Sequence, residues 1–213
     1  VVRRLEESGA RAVMAVDDRA DLAAVLDDTA PLEHVAALDV DVSAAEVDVA
    51  IVLGGDGTIL RAAELVRGTL APVLGVNMGH VGFLAESERD DLDEAVRRVI
   101  ARDYTVEERL AVEVKVKSRL GETVFETWAL NEATVEKASR ERMLEVVIEV
   151  DGRPLSSFGC DGVVVATPTG STAYNFSAGG PVIWPTVQAI AVVPLSAHAL
   201  FAKPLVIDPN AVV

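Results

Sequence analysis

Cysteine is nearly absent from the sequence: Cys160 is the only one among 213 residues. A single thiol forms no internal disulfide, and there is no C-x-x-C pair to hold zinc. The three histidines, His34, His80 and His198, lie far apart and form no H-E-x-x-H. These absences speak against a structural zinc site. No apolar run reaches the ~18 residues that a membrane-spanning helix needs, and no signal peptide is visible. A reducing, cytoplasmic setting is the expectation. Lysine is also scarce, at positions 115, 117, 137 and 203 only. Nineteen Lys and Arg face thirty-four Asp and Glu, for a net charge of −15. Without a basic cluster such a chain repels nucleic acid and anionic lipid, so neither is expected as a partner. Three catalytic signatures are missing as well: the Walker loop G-x-x-x-x-G-K-[ST], the dinucleotide fingerprint G-x-G-x-x-G and the hydrolase elbow G-x-S-x-G.

What remains is an ordinary globular composition, 50% hydrophobic and 25% charged, long enough for one or two domains with a sizeable core. Nine prolines and fifteen glycines are dispersed, so no low-complexity linker interrupts the chain. Residues 1–50 hold twelve acids and four bases, read as solvated helix faces that aid solubility.

The first hundred residues alternate between helix-like and strand-like segments. Val1–Gly9 suits a helix, Arg11–Val16 a strand, and Leu22–Leu26 lies in a helix. Val47–Leu53 is the clearest strand, an apolar β-branched run of the kind buried on both faces of a parallel sheet. Gly54–Gly57 breaks it. A helix is expected over Thr58–Val66 with Thr58 as N-cap. Pro72–Asn77 is the next strand. Ser87-x-x-Asp90 reads as a loose capping box ahead of a helix over Leu92–Ile100. This alternation implies a parallel sheet with right-handed crossovers. Beyond residue 102 the pattern turns β-rich: Thr105–Lys117, Thr123–Glu136, Met143–Val150 and Val163–Ala166, with Asp151-Gly152 as a turn signal. The expected domains are therefore 1–102, α/β, and 103–213, β-rich. Between Arg153 and Lys203 the only charged residue is Asp161, where average composition would supply about a dozen. That stretch is expected to be buried, at a subunit interface, or lining a site.

Three constellations carry chemistry. In Gly54-Gly55-Asp56-Gly57-Thr58 a strand ends in glycines and a helix begins. Glycines let backbone N–H groups approach an anion, and the helix start adds oriented donors. A phosphate can be cradled there without lysine. Asp56 then reads as a base for an attacking hydroxyl or as a magnesium contact; the plainer alternative is a tight turn with Asp56 capping the helix. Asn131-Glu132 offers amide groups that suit a purine edge and carboxylate acceptors that suit ribose hydroxyls; a solvated strand end is the alternative. The third runs from Asp161 to Asn175. Its strand is followed by a turn of Pro168, Gly170 and hydroxyl residues, then a helix expected from Ser171. Tyr174 could stack on a base. An ordinary strand–turn–helix capped by Ser171 is the alternative.

Together these blocks resemble the NAD kinase family. The resemblance rests on GGDGTILRAAEL at 54–65, PVLGVNMGHVGFLAE at 72–86, LNEATVEK at 130–137 and DGVVVATPTGSTAYNFSAGGPV at 161–182, with VVPLSAHALFAKP at 192–204. The long T-P-T-G-S-T-A-Y-N block separates it from lipid kinases and phosphofructokinases with similar glycine loops. It implies a Rossmann-like or phosphofructokinase-like α/β domain, then a β-rich NAD-binding domain, with the site in the cleft between them. It also implies transfer of the terminal phosphate of ATP, or of polyphosphate, to the 2′-hydroxyl of the adenosine ribose of NAD.

By similarity Asp56 is the base, and Gly54, Gly55, Gly57 and Thr58 border the phosphates. Arg61 matches a phosphate-side arginine, with a solvated helix arginine as the alternative. Asn131 would bind the adenine edge, Glu132 the ribose hydroxyls and Asp161 the nicotinamide end. Thr172, Ala173, Tyr174, Asn175, Phe176 and Ser177 would line the NAD site. No protein cage for a metal is implied; Mg²⁺ would come on the nucleotide phosphates, with Asp56 as a further contact. The family usually forms homodimers or homotetramers. Phe158-Gly159-Cys160-Asp161-Gly162 looks like an actinobacterial subgroup, with Gly159 where many members carry a basic residue. Cys160 is read as a small buried residue and His80 as packing in a turn. The family begins with a strand ahead of the first helix and continues past residue 213, so both ends are expected to be incomplete. A lipid kinase sharing the glycine loop and a non-catalytic NAD-binding fragment are the competing readings.

Overall fold

The computed structural model describes residues 1–26, 32–78, 84–85, 87–139, 142–197 and 203–213. The surroundings of His80 and His198 lie outside these residues, as do parts of the blocks at 72–86 and 192–204. The chain divides into two compact units, Val1–Glu107 and Glu108–Val213.

The first unit is α/β. Its elements are α1 (Val2–Glu7), β1 (Val13–Met14), α2 (Val16–Val25), β2 (Ala36–Ala37), β3 (Ala50–Leu53), α3 (Asp56–Leu65), β4 (Val73–Asn77), β5 (Ser87–Glu88) and α4 (Leu92–Ala101). β1 pairs with β2, and β3-β4-β5 form a second sheet; every pair is parallel. Ala12, Leu32 and Val35 form a small core under Val2, Leu5 and Leu22. α3 lies down on β4 because Gly75 makes room: a Cβ there would sit 2.5 Å from Cδ1 of Ile59, the buried residue of α3.

Several expectations shift. The strand at 11–16 shrinks to Val13–Met14, since Val16 already opens α2. The strand expected over Val47–Leu53 begins only at Ala50, because a 3-10 turn at Ala44–Glu46 takes the preceding residues. That turn carries the capping box that is formed: Ser43 Oγ accepts from the Ala45 N–H, and Glu46 accepts from the Ser43 N–H. The Ser87–Asp90 match is not a cap. Ser87 belongs to β5, and Asp91 is the N-cap position of α4. β3 is an edge strand rather than one buried on both faces, and Leu53 is exposed.

The second unit is β-rich. β6 (Val112–Lys117) and β7 (Thr123–Ala129) form one antiparallel hairpin. β8 (Glu132–Glu136) follows. β9 (Leu144–Val150) and β10 (Arg153–Cys160) form a second hairpin. β11 (Gly162–Ala166), α5 (Tyr174–Ser177), β12 (Ile190–Leu195) and β13 (Leu205–Ile207) complete the unit. The central sheet has the order β13-β12-β11-β8, with every pair antiparallel. Asp151 and Gly152 turn the second hairpin with φ of 52° and 73°, the left-handed pair that a two-residue turn requires.

Strand periodicity explains the uncharged stretch. Side chains alternate between faces. Val164, Ala166, Ala191 and Val193 meet Ile183 and Ala189 on one face. Val163 and Val192 meet Ile148, Phe158 and Cys160 of the second hairpin on the other. A sheet covered on both faces leaves no place for charge. The stretch is not uniformly buried, however: Phe176, Val182, Trp184 and Val187 are exposed. β10 departs from the sequence reading altogether. Pro154 argues against a strand, and the ladder accommodates it with a register shift between Pro154 and Ser156. The strand-like run at Thr123–Glu136 is two strands parted at Leu130-Asn131, and Thr105–Lys117 is a strand only from Val112.

Candidate functional site

At the end of β3 the Gly54 N–H donates to the Val76 carbonyl at 3.0 Å, which keeps the chain on the sheet until the turn. Gly55 is the N-cap and Asp56 the first residue of α3, so neither Thr58 nor Asp56 caps that helix. The Asp56 carboxylate instead accepts the Leu84 N–H at 3.1 Å. A carboxylate in the first turn of a helix also lies at the favourable end of the helix dipole.

The loop glycines differ in what crowds them. A Cβ at Gly54 would sit 2.7 Å from Oγ1 of Thr58. A Cβ at Gly55 or Gly57 would meet nothing within 4 Å, and neither residue has positive φ. The chain's own packing therefore asks for glycine at 54 but not at 55 or 57. Gly57, inside a helix, even costs ~0.5–1 kcal/mol relative to alanine. The open space beside the first backbone N–H groups of α3 is what an anion needs to reach them. Arg61 points elsewhere. Its guanidinium pairs with Asp17 at 3.5 Å and Asp18 at 3.1 Å, both in the first turn of α2. That is the arrangement of a solvated helix arginine.

The other candidates lie in the second unit, around β8 and β11. The Thr167 N–H donates to the Asn131 carbonyl at 2.9 Å, its hydroxyl donates to the Leu130 carbonyl, and the Gly170 N–H donates to that hydroxyl at 3.1 Å. Gly170 is pressed on Asn131 so closely that a Cβ would fall 2.1 Å from its carbonyl oxygen. This apposition fixes the Asn131-Glu132 backbone. Among the described residues, Oδ1 of Asn131 and Oε2 of Glu132 are buried without a hydrogen-bond partner, as is Oδ1 of Asn175 farther inside the fold. Burial pushes the Glu132 carboxyl above its ordinary range. Buried polar atoms without partners are uncommon in folded proteins and call for an explanation; a ligand that donates there supplies one.

Ser171 is not a helix cap. It lies in a 3-10 turn at Thr169–Thr172, fully buried, where its hydroxyl accepts the Ile183 N–H at 2.9 Å and donates to the Pro168 carbonyl at 2.6 Å. Asn175 faces into the fold as well. Its amide donates to the Ser171 and Pro181 carbonyls at 3.0 and 2.9 Å, with Gly180 making room for its oxygen. Tyr174, Phe176 and Ser177 are exposed, while Thr172 and Ala173 are half-buried.

Asp161 stands at the opposite end of β8 and β11 from Glu132. The register pairs Ala166 with Glu132 and Gly162 with Glu136. Lys137 Nζ lies 2.5 Å from Asp161 Oδ1, and the Lys137 N–H donates to the Asp161 carbonyl. Desolvation, then the nearby Glu136 charge, hold the Tyr174 hydroxyl above its ordinary range. Glu136, Lys137, Asp161, Tyr174, Ser177 and Ser196 border a cavity of about 390 Å³. Glu136 and Lys137 were missed from sequence; Glu136 follows Glu132 by four residues on one strand, which puts both on the same face. Cys160 is fully buried, and burial pushes its thiol up, as suits an inert packing residue. Among the described residues no group of three or more His, Cys, Asp or Glu could hold a metal ion.

A glycine loop between a parallel strand and a helix in one unit, followed by a β-rich second unit, defines the class as a two-unit α/β and β protein. The ATP-NAD kinase N-terminal domain model matches residues 6–104, and the ATP-NAD kinase C-terminal domain model matches residues 130–213. The chain belongs to the NAD kinase family. It is 64% identical over 211 residues to an NAD kinase of Leifsonia xyli subsp. xyli, covering 99% of this chain and 68% of that one. It is 64% identical over 175 residues to an NAD kinase of Thermobifida fusca, covering 80% of this chain and 53% of that one. The chain thus spans between about half and two thirds of these relatives. Among solved structures, yeast NADH kinase complexed with NADH aligns with a TM-score of 0.85 at 26% identity, over 99% of this chain and 64% of that one. An NAD kinase from Archaeoglobus fulgidus in complex with ATP aligns with a TM-score of 0.65 at 30% identity, over 77% of this chain and 62% of that one.

Proposed function

We propose that the protein phosphorylates the 2′-hydroxyl of the adenosine ribose of NAD, giving NADP, with ATP or polyphosphate as donor. The observation that carries this reading is the pair of buried acceptors, Asn131 Oδ1 and Glu132 Oε2, which find no donor among the described residues. A ribose offers two hydroxyl donors and an adenine offers an amine, the groups these atoms need. Asn131 takes the adenine edge, Glu132 the ribose hydroxyls and Asp161 the nicotinamide end. Thr172, Ala173, Tyr174, Phe176 and Ser177 line the dinucleotide. Asn175 serves from inside, holding the segment that carries them.

Asp56 is the base that takes the proton of the attacking hydroxyl. Gly54, Gly55, Gly57 and Thr58 border the phosphates, and the open faces of Gly55 and Gly57 admit them to the N–H groups of α3. Arg61 joins them only by leaving Asp17 and Asp18. With so few lysines, charge on the donor calls for a divalent cation; Mg²⁺ carried on the nucleotide phosphates would supply that neutralisation, and Asp56 is the side chain that would contact it. The chain's part in the step is to position the hydroxyl, remove its proton and offer N–H donors. A cytoplasmic homodimer or homotetramer is the proposed working form.

The test is NADP formation by the protein with its natural termini, from NAD, ATP and Mg²⁺. Asp56→Asn should lower turnover by at least ~10²-fold, the usual worth of a general base, while NAD still binds. Full activity in that variant would sink the base assignment. NAD binding with no turnover by the parent, from ATP or polyphosphate, would instead favour a non-catalytic NAD-binding module.

A further inference from the structure

The cavity beside Asp161 holds more charge than its neighbourhood. Between Arg153 and Lys203 Asp161 is the only Asp, Glu, Lys or Arg, yet the end of β8 brings Glu136 and Lys137 to the same cavity. Lys137 grips Asp161 from one side. Tyr174 brings an aromatic ring to the border of the same cavity. The spacing from the orphaned acceptors matters too. Glu132 and Glu136 share one face of β8, and four strand residues span about 13 Å. That separation lets one extended dinucleotide place its adenosine at Glu132 and its second ring in the cavity.

On the reading given above, that second ring is nicotinamide. The ring exists in two forms that differ chiefly in charge: the oxidised pyridinium carries +1, and the reduced dihydropyridine is neutral. The rest of the dinucleotide is unchanged. We propose that Lys137 and Glu136 set the preference of this site between the oxidised and the reduced dinucleotide, Lys137 disfavouring the cationic ring and Glu136 favouring it. The proposal rests on the NAD-binding reading and adds to it which redox form the site selects and through which side chains. One unit charge acting at about 6 Å across a partly solvated cavity changes relative affinity roughly three- to tenfold.

The experiment measures dissociation constants for NAD⁺ and NADH by calorimetry at low salt, on the protein with its natural termini. Parent, Lys137→Met and Glu136→Gln are compared. Both variants nearly preserve side-chain volume. Because each ratio is internal to one protein, a general loss of fold cancels from it. Lys137→Met should shift the ratio toward NAD⁺ by three- to tenfold, Glu136→Gln should shift it toward NADH by a similar factor, and added salt should shrink both shifts. Ratios within twofold of the parent in both variants, or shifts of opposite sign, while both dinucleotides still bind, would overturn the inference and leave the kinase reading standing. If neither dinucleotide binds the parent, the kinase reading falls and takes the inference with it.

Discussion

Gly170→Ala tests how the dinucleotide end of the site is held. The new Cβ would lie 2.1 Å from the Asn131 carbonyl oxygen, 2.3 Å from its carbonyl carbon and 2.7 Å from its Cα. All three are backbone atoms, so no side chain can rotate away. The 3-10 turn and the Leu130–Asn131 strand break must move apart by about an ångström to reach ordinary contact. Two hydrogen bonds cross that seam, Thr167 N–H to Asn131 and Thr167 hydroxyl to Leu130, and the Gly170 N–H braces the Thr167 hydroxyl from its own side. Overpacking of this kind costs about 1–3 kcal/mol, and each weakened bond adds about 0.5–1.5 kcal/mol. A loss on the order of 2–4 kcal/mol follows. Both tryptophans, Trp128 and Trp184, lie in the second unit, so fluorescence during urea unfolding reports on the unit that carries the change. NAD affinity should fall at least about tenfold in parallel, a 1.4 kcal/mol effect, because Asn131 and Glu132 move with the seam. A variant within about 0.5 kcal/mol of the parent, binding NAD as tightly, would show that the apposition does not hold the site.

Two further outcomes separate stability from function. Gly57→Ala should fold as well as the parent or gain ~0.5–1 kcal/mol, since nothing crowds the new methyl group, yet lose at least tenfold in kcat/KM for NADP formation; unchanged kinetics would empty the phosphate-loop reading. Glu132→Gln reads out burial. Burial raises the Glu132 pKa, so its contribution to stability is present at low pH and is lost as pH rises through the folded-state value. The ligand-free variant should therefore melt above the parent at pH 7, with the difference vanishing below about pH 4, where the unfolded carboxyl is also protonated. It should bind NAD more weakly throughout; a variant less stable than the parent at pH 7 would mean that Glu132 has partners in the free protein.

The architecture was legible wherever one face pattern dominated. The parallel β3–α3–β4 unit announced itself through an apolar run, a glycine break and a second run. Val163–Ala166 was plain for the same reason. Strand ends were not, because ends are set by local competition. Ser43-Ala44-Ala45-Glu46 wins residues 43–47 for a capped turn and leaves β3 four residues. β10 has no counterpart in the sequence reading, because Pro and Gly are poor strand formers; here the register shift after Pro154 and Met143 over Gly159 absorb them. At the site, the sequence pointed to Asn131-Glu132 and to the 161–177 block, but it could not say which way each side chain faces. Asn175, inside a polar run, turns inward to bind two carbonyls, while Tyr174 and Phe176 on either side of it face out. A four-residue helix has no long periodicity from which to read that alternation.

The glycines carry the same lesson further. In the blocks that carry the family resemblance, Gly54, Gly75, Gly162, Gly170 and Gly180 are each crowded by the protein's own atoms, whereas Gly55 and Gly57 face open space. Glycine at the crowded positions is explained by folding alone: the sheet, the α3 contact, the Asn131 seam and the Asn175 lock each need a missing Cβ. At Gly55, the N-cap of α3, glycine is itself favoured over alanine; at Gly57 packing gives no reason for it, and helix propensity argues against glycine. A chain that keeps glycine where alanine would be the more stable choice gains something outside its own packing. The open face of Gly57 lies in the first turn of α3, next to Asp56. The unsatisfied atoms of Asn131 and Glu132 present the same imbalance in the second unit, each costing about 1–3 kcal/mol while it lacks a partner. Both units therefore carry a local cost that an anionic, hydroxyl-bearing ligand would offset, and neither cost is explained by the fold.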